Sequence, residues 1–125
     1  MSGSKVPIQL IFDNTFHYSG YLDRIYSPFT IDRILSMLPI ESVLDVRGNR
    51  VVIPIPLRIG APRKKRIFKK GDIAFWPTYS SIIIFLEEED VEDMGYLGAL
   101  TDAPDPSILR AGMSIIIKRP PSSPL

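Results

Sequence analysis

The stretch from Lys69 to Leu86, KKGDIAFWPTYSSIIIFL, constrains the fold more than any other part of the chain. Residues 73–76 are rich in β-branched and aromatic side chains, and an apolar run at 82–86 follows a turn that begins at Pro77. This pattern predicts two antiparallel strands joined by a short turn, the central hairpin of the fold. Because the run at 82–86 lacks alternating polar residues, we expect the second strand to be buried on both faces.

The rest of the chain shows further strand patterns and one helix pattern. One helix is predicted between Ser27-Pro28 and Pro39, because apolar residues recur there at intervals of three and four. A short second helical turn is predicted at 106–110. Further strands are predicted at 5–12, 15–22, 41–47, 50–59, 96–101 and 113–118. Eight strands with turn signals between them predict a mainly β fold, a closed antiparallel barrel capped by the helix.

Length and composition predict one domain and exclude several function classes. We interpret residues 1–119 of the 125-residue chain as a single domain and the proline-rich 120–125 as a disordered tail. The chain has no cysteine, which excludes disulfides, thiolate nucleophiles and zinc–thiolate sites. Its net charge of +1 disfavours nucleic acid as a partner. No apolar run approaches the roughly 20 residues that cross a bilayer, so we expect a soluble, cytoplasmic protein without membrane contact. Its many isoleucines and charge clusters would suit a heat-adapted organism.

Two runs, PIESVLDVRGNRVVIPIPL and GDIAFWPTYSSIIIFL, resemble the short cyclophilin-like proteins of bacteria and archaea. The resemblance covers roughly residues 29–86, and GDIAFWP is its most specific part. Thr78-Tyr79-Ser80 departs from the family pattern, which has a second proline and a glycine after the tryptophan. The resemblance implies a prokaryotic, cyclophilin-like β-barrel closed by helices. It also implies that the isomerase catalytic set is generally lacking.

Catalysis is the minority interpretation of this sequence. A prolyl isomerase must lower a rotation barrier of about 18–20 kcal/mol, and cyclophilins use an arginine with glutamine, histidine and aromatic neighbours. In cyclophilins that arginine follows the first helix, and Arg47 is the nearest arginine to this position here. Gln9 is the only glutamine. His17 is the only histidine, and it lies before the helix. We therefore assign no catalytic residue, no metal ligand and no cofactor. A weak peptidyl-prolyl cis-trans isomerase remains an alternative.

The favoured function is a non-catalytic binding domain for a small molecule or a peptide, in a groove beside the central hairpin. Trp76 and Tyr79 flank the hairpin turn and, with Arg47, are the predicted ligand contacts, whereas Phe75 is expected to pack in the core. The basic run 63–70 and the acidic run 87–93 are expected to pair on the surface. A second alternative is self-association, for example as a homodimer, through an exposed strand at 51–57 whose two prolines suggest a sheet edge.

Overall fold

The structure is a computed structural model that describes residues 3–60 and 64–121. It has one α-helix, α1 (Pro28–Met37), and two short 3₁₀ turns, Pro77–Tyr79 and Pro106–Ile108, among the described residues. The strands are β1 (Lys5–Phe12), β2 (Phe16–Asp23), β3 (Ile40–Val43), β4 (Asp45–Arg47), β5 (Arg50–Pro54), β6 (Ile67–Phe68), β7 (Asp72–Trp76), β8 (Ser81–Phe85), β9 (Glu89–Asp90), β10 (Gly95–Leu100) and β11 (Ser114–Lys118).

Nine strands form one antiparallel sheet in the order β3-β11-β1-β2-β10-β7-β8-β5-β4. Its two end strands, β3 and β4, are separated in sequence by Leu44 alone, so the sheet curls until its edges meet. The Ser42 hydroxyl donates a hydrogen bond to the Pro54 carbonyl oxygen at 2.7 Å across this seam. The predicted mainly β fold, a nearly closed antiparallel barrel, is confirmed.

The inside of the barrel is filled by apolar side chains. Alternate residues of β1 (Val6, Ile8, Leu10 and Phe12) point into this core, where Phe75 is fully buried. Helix α1 adds Ile31, Ile34 and Leu35 to the same cluster, as its apolar stripe predicted. In the described residues no buried side-chain nitrogen or oxygen lacks a hydrogen-bond partner.

The central hairpin is confirmed as β7 and β8, and every residue of β8 is buried, as predicted. Ile82 and Ile84 face the barrel core, while Ile83 and Phe85 face a second apolar cluster outside the sheet. A two-stranded ribbon of β6 and β9 covers this second cluster and contributes Phe68 to it. Strand β8 is therefore buried on both faces, because the β6-β9 ribbon lies over its outer face.

The predicted pairing of the basic and acidic runs is seen in this ribbon. Ile67 pairs with Asp90 in the ladder, and the Arg66 guanidinium binds the Asp90 carboxylate at 2.9 Å. Both side chains of this ion pair are more than half exposed, so it contributes little to stability. Arg63, which begins the predicted basic run, lies outside the described residues, as do residues 122–125 of the predicted tail.

The prediction of one strand at 41–47 is wrong. The chain bends inward at Leu44, which is buried and exchanges backbone hydrogen bonds with Met113 and Gly112. Residues before this bend pair with β11, and residues after it pair with β5. A single predicted strand is thus divided between the two edges of the sheet.

The premise of the self-association alternative, an open edge at 51–57, is also wrong. Strand β5 is paired on one side with β4 through Arg50–Val52 and on the other side with β8 through Arg50–Pro54. It ends at Pro54, because the prolines have no N–H to continue the ladder. The oligomeric state itself remains a prediction. Across residues 3–60 and 64–121, no helix has the length and apolar character needed to span a membrane.

Candidate ligand-binding site

Four side chains form an arginine-aromatic cluster on the outer face of the sheet: Arg47, Arg50, Trp76 and Tyr79. The rings of Trp76 and Tyr79 meet nearly edge to face, with centroids 4.4 Å apart. The Arg47 guanidinium lies 5.6 Å from the Tyr79 centroid, and that of Arg50 lies 4.9 Å from the Trp76 centroid. The three residues selected from sequence, Arg47, Trp76 and Tyr79, therefore lie together.

The local sequence of the hairpin turn holds Tyr79 in this position. Pro77 fixes φ at the start of the 3₁₀ turn, and Ser80 then takes a left-handed conformation with φ of 46°. The Ser81 hydroxyl donates to the Tyr79 carbonyl oxygen at 2.8 Å. These constraints fold the turn back on Trp76 and leave Tyr79 52% exposed. Its ring is thus both positioned and accessible.

A second turn brings the two arginines to the cluster. Gly48, with φ of 59°, helps to close the two-residue turn between β4 and β5, so Arg47 and Arg50 are directly paired. Arg50 donates to both carboxylate oxygens of Glu89, with Nε 3.0 Å from the nearer one. The indole Nε1 of Trp76 donates to Asp93 at 3.0 Å. Two carboxylates of the acidic run therefore fix the inner half of the cluster.

Arg47 is the more accessible of the two arginines. Its side chain is 57% exposed, and its Nε donates to the Asp45 carboxylate at 3.0 Å. The hydrogen bond from Arg47 and that from the Val46 backbone lower the pKa of Asp45 below its usual 3.8. Within the described residues only the Nε atom of Arg47 donates a hydrogen bond to another side chain. Its terminal nitrogens can therefore bind an external carboxylate or carbonyl group.

The lowered pKa of Asp45 leads to a titration experiment. We expect NMR titration of the Asp45 carboxyl to give a pKa below 3.8 in the native protein and a higher value in Arg47→Met. A lowered native pKa means that the stabilisation from this contact is present above 3.8 and is lost as the pH falls through the native pKa. As a control, Arg24→Met removes an exposed pair with Asp32 and should leave the titration of Asp45 unchanged. An identical pKa in the native protein and Arg47→Met would contradict the contact.

An open cleft of about 610 Å³ adjoins the cluster. One wall is formed by residues 58–60 and the other by the turn Pro77–Ser80. Tyr79 belongs both to this cleft and to the arginine-aromatic cluster, and Arg58 contributes a cation to the lining. Its volume lies within the range of about 300–1,000 Å³ that is usual for small-molecule sites. The cleft lies beside the hairpin turn, and of the three predicted ligand contacts only Tyr79 is among the residues that line it.

Sequence reasoning missed two members of this region, Arg50 and Arg58. The signal for Arg50 was available, because two residues that flank a two-residue turn face the same side of a hairpin. Arg58 had no such signal, since it lies beyond the end of β5. His17 is exposed on β2, away from the buried core. No group of three or more potential metal ligands occurs among the residues that the structure describes.

Together the fold and the site define a small β-barrel with an external cleft bordered by arginine and aromatic side chains. The chain is similar in structure to the hypothetical protein AF2241 from Archaeoglobus fulgidus, known from its solution structure. That match has a TM-score of 0.78 and 17% identity, and it covers 94% of this chain and 97% of that one. At 17% identity the likeness shows the fold alone.

A second similar structure is that of McbB in complex with tryptophan. The TM-score is 0.69 with 11% identity over 94% of this chain, which spans 46% of the McbB chain. No protein-family model matches the chain, and the search of curated proteins gives no match. The cyclophilin-like resemblance therefore remains a prediction.

Proposed function

We propose that this protein is a non-catalytic binding domain that holds a small molecule or a peptide in the cleft beside Tyr79. The observation that carries the proposal is the position of Tyr79, which is half exposed, lines the 610 Å³ cleft and lies under the Arg47 guanidinium. A ligand with a planar group and a carboxylate or carbonyl oxygen would match both partners. The ring would stack on Tyr79, and the oxygen would accept from Arg47.

Order in the cluster supports a binding role. The ring of Trp76 is fixed by its hydrogen bond to Asp93 and by the guanidinium of Arg50, and Tyr79 packs against that fixed ring. A preformed surface of this kind loses little conformational entropy when a ligand binds. McbB, which shares the fold, has been determined with tryptophan. That complex makes L-tryptophan a reasonable first probe here.

The proposal is tested by NMR titration of the ¹⁵N-labelled protein with unlabelled L-tryptophan and, separately, with an alanine-proline tetrapeptide. Because the chain has one tryptophan, a single indole N–H signal reports on Trp76. We expect at least one probe to shift this signal and the backbone amides of 78–80. Tyr79→Ala should weaken binding about three- to tenfold, the usual worth of one aromatic contact.

The matched control is Phe29→Ala, which removes an aromatic ring that is 65% exposed on helix α1. It should leave the affinity for either probe unchanged. Arg47→Met should weaken binding of the charged probe more than that of a neutral amide analogue. If neither probe shifts the Trp76 signal, or if Tyr79→Ala binds as tightly as the native protein, this binding site is wrong.

A further inference from the structure

A second, smaller pocket lies elsewhere on the surface, near the start of helix α1. It has a volume of about 220 Å³ and is lined by Tyr26, Lys64, Lys65 and Tyr96. The rings of Tyr26 and Tyr96 meet edge to face, with centroids 4.9 Å apart. None of these four residues belongs to the arginine-aromatic cluster or its cleft. The pocket is therefore a separate feature of the surface.

Two lysines line this pocket. The Nζ atom of Lys65 lies 4.1 Å from the Tyr96 ring centroid and 3.4 Å from the Asp72 carboxylate. Asp72 also accepts a hydrogen bond from the Lys69 backbone at 2.8 Å, so its charge is shared between two donors. Because Asp72 offsets only one of the two lysine charges, Lys64 leaves the pocket with net positive charge.

The tyrosines add neutral hydrogen-bond donors to these cations. Burial raises the pKa of Tyr96 above its ordinary value of 10.0, and the neighbouring Tyr21 side chain adds to the shift. Tyr96 thus keeps its hydroxyl proton at neutral pH. Fixed rings, a neutral phenol and ammonium groups at one small pocket suit a ligand that has a flat apolar body and one anionic group.

We propose that this pocket binds a small aromatic carboxylate, with the carboxylate on Lys64 and Lys65 and the ring packed against Tyr26 and Tyr96. The volume supports that size, since 220 Å³ equals about seven water molecules at about 30 Å³ each. A single substituted ring fits such a space, whereas a peptide does not. The site is distinct from the proposed cleft and does not depend on its function.

Benzoate is the test probe, with acetate and inorganic phosphate as comparisons at matched ionic strength. Matching is needed because salt screens exposed charges. In NMR titrations of the native protein, benzoate should shift the amides of Tyr26, Lys64, Lys65 and Tyr96, with no shift of the Trp76 indole. Acetate should bind more weakly because it has no ring for the tyrosines to hold.

Lys64→Gln removes one charge without removing the Asp72 ion pair, so it is the first variant to test. We expect it to weaken benzoate binding about tenfold, the effect of losing one charge-assisted hydrogen bond. Lys70→Gln, an exposed lysine outside the pocket, is the matched control and should bind as the native protein does. Tyr96→Phe keeps the ring, loses the hydroxyl and should give a smaller loss than Lys64→Gln.

Each contrary outcome overturns the proposal in a defined way. Acetate or phosphate binding as tightly as benzoate would show that the rings do not hold the ligand. Equal losses in Lys64→Gln and Lys70→Gln would show only general charge attraction. Benzoate shifts that appear at Trp76 and vanish in Arg47→Met would place the anion in the arginine-aromatic cluster instead. Absence of any shift in the folded native protein would remove the site.

Discussion

We expect Gly98→Ala to destabilise the protein by more than about 3 kcal/mol, the range of severe steric substitutions. A Cβ atom at this position would lie 1.9 Å from the Tyr21 carbonyl oxygen and 2.9 Å from the Leu22 Cα. Both are backbone atoms of β2, which is held between β1 and β10 and cannot yield without losing sheet hydrogen bonds. Urea unfolding followed by circular dichroism measures the loss.

Gly60→Ala is the matched control for this substitution. No heavy atom lies within 4 Å of the position that its Cβ would take, and its φ lies outside the left-handed region. We therefore expect its stability to stay within about 1 kcal/mol of the native protein. An unchanged urea midpoint in Gly98→Ala would mean that β2 and β10 do not approach each other as closely as the structure shows.

The second large effect is expected for Phe85→Ala, at about 3–5 kcal/mol, the usual cost of removing a fully buried phenylalanine ring. Phe85 is fully buried, and its ring stacks on that of Phe68 with centroids 4.7 Å apart. The Arg50 guanidinium lies 5.9 Å from the same ring. Removal of Phe85 therefore takes away the ring on which Phe68 of the β6-β9 ribbon stacks and one side of the arginine-aromatic cluster.

Phe75→Ala is the matched comparison, because it makes the same substitution at a fully buried position inside the barrel. Both variants should lower the urea midpoint, but Phe85→Ala alone should speed amide hydrogen exchange in the ribbon selectively and move the Trp76 indole signal. Phe29→Ala, at an exposed site, should change stability by less than about 0.5 kcal/mol. Equal exchange rates for the ribbon in Phe85→Ala and Phe75→Ala would contradict its attachment through Phe85.

Much of the local structure could be predicted, because it depends on short-range patterns. The hairpin of β7 and β8 followed from β-branched and aromatic runs on either side of Pro77, and α1 followed from its apolar spacing. The ribbon of β6 and β9 could not be found in this way. Each of its strands has two residues, too few for a period-two pattern to appear.

The candidate site was partly predictable for a similar reason. Trp76 and Tyr79 lie three residues apart at a turn, so their closeness is a local property of the chain. Arg47 reaches Tyr79 only because β5 lies between β4 and β8 in the sheet. The contacts of Arg50 with Glu89 and of Trp76 with Asp93 likewise join segments that are distant in sequence.

The amino-acid sequence by itself determined most of the longer strand segments, which strand is buried on both faces and which aromatic residues flank the hairpin turn. Those properties depend on side chains only a few positions apart, where chain geometry fixes the spacing. Only the tertiary structure decided the order of the nine strands, the division of the chain at Leu44 and the meeting of arginines with aromatic rings. Pairing between distant segments is selected by burial and closure of the whole sheet, which no short stretch of sequence encodes.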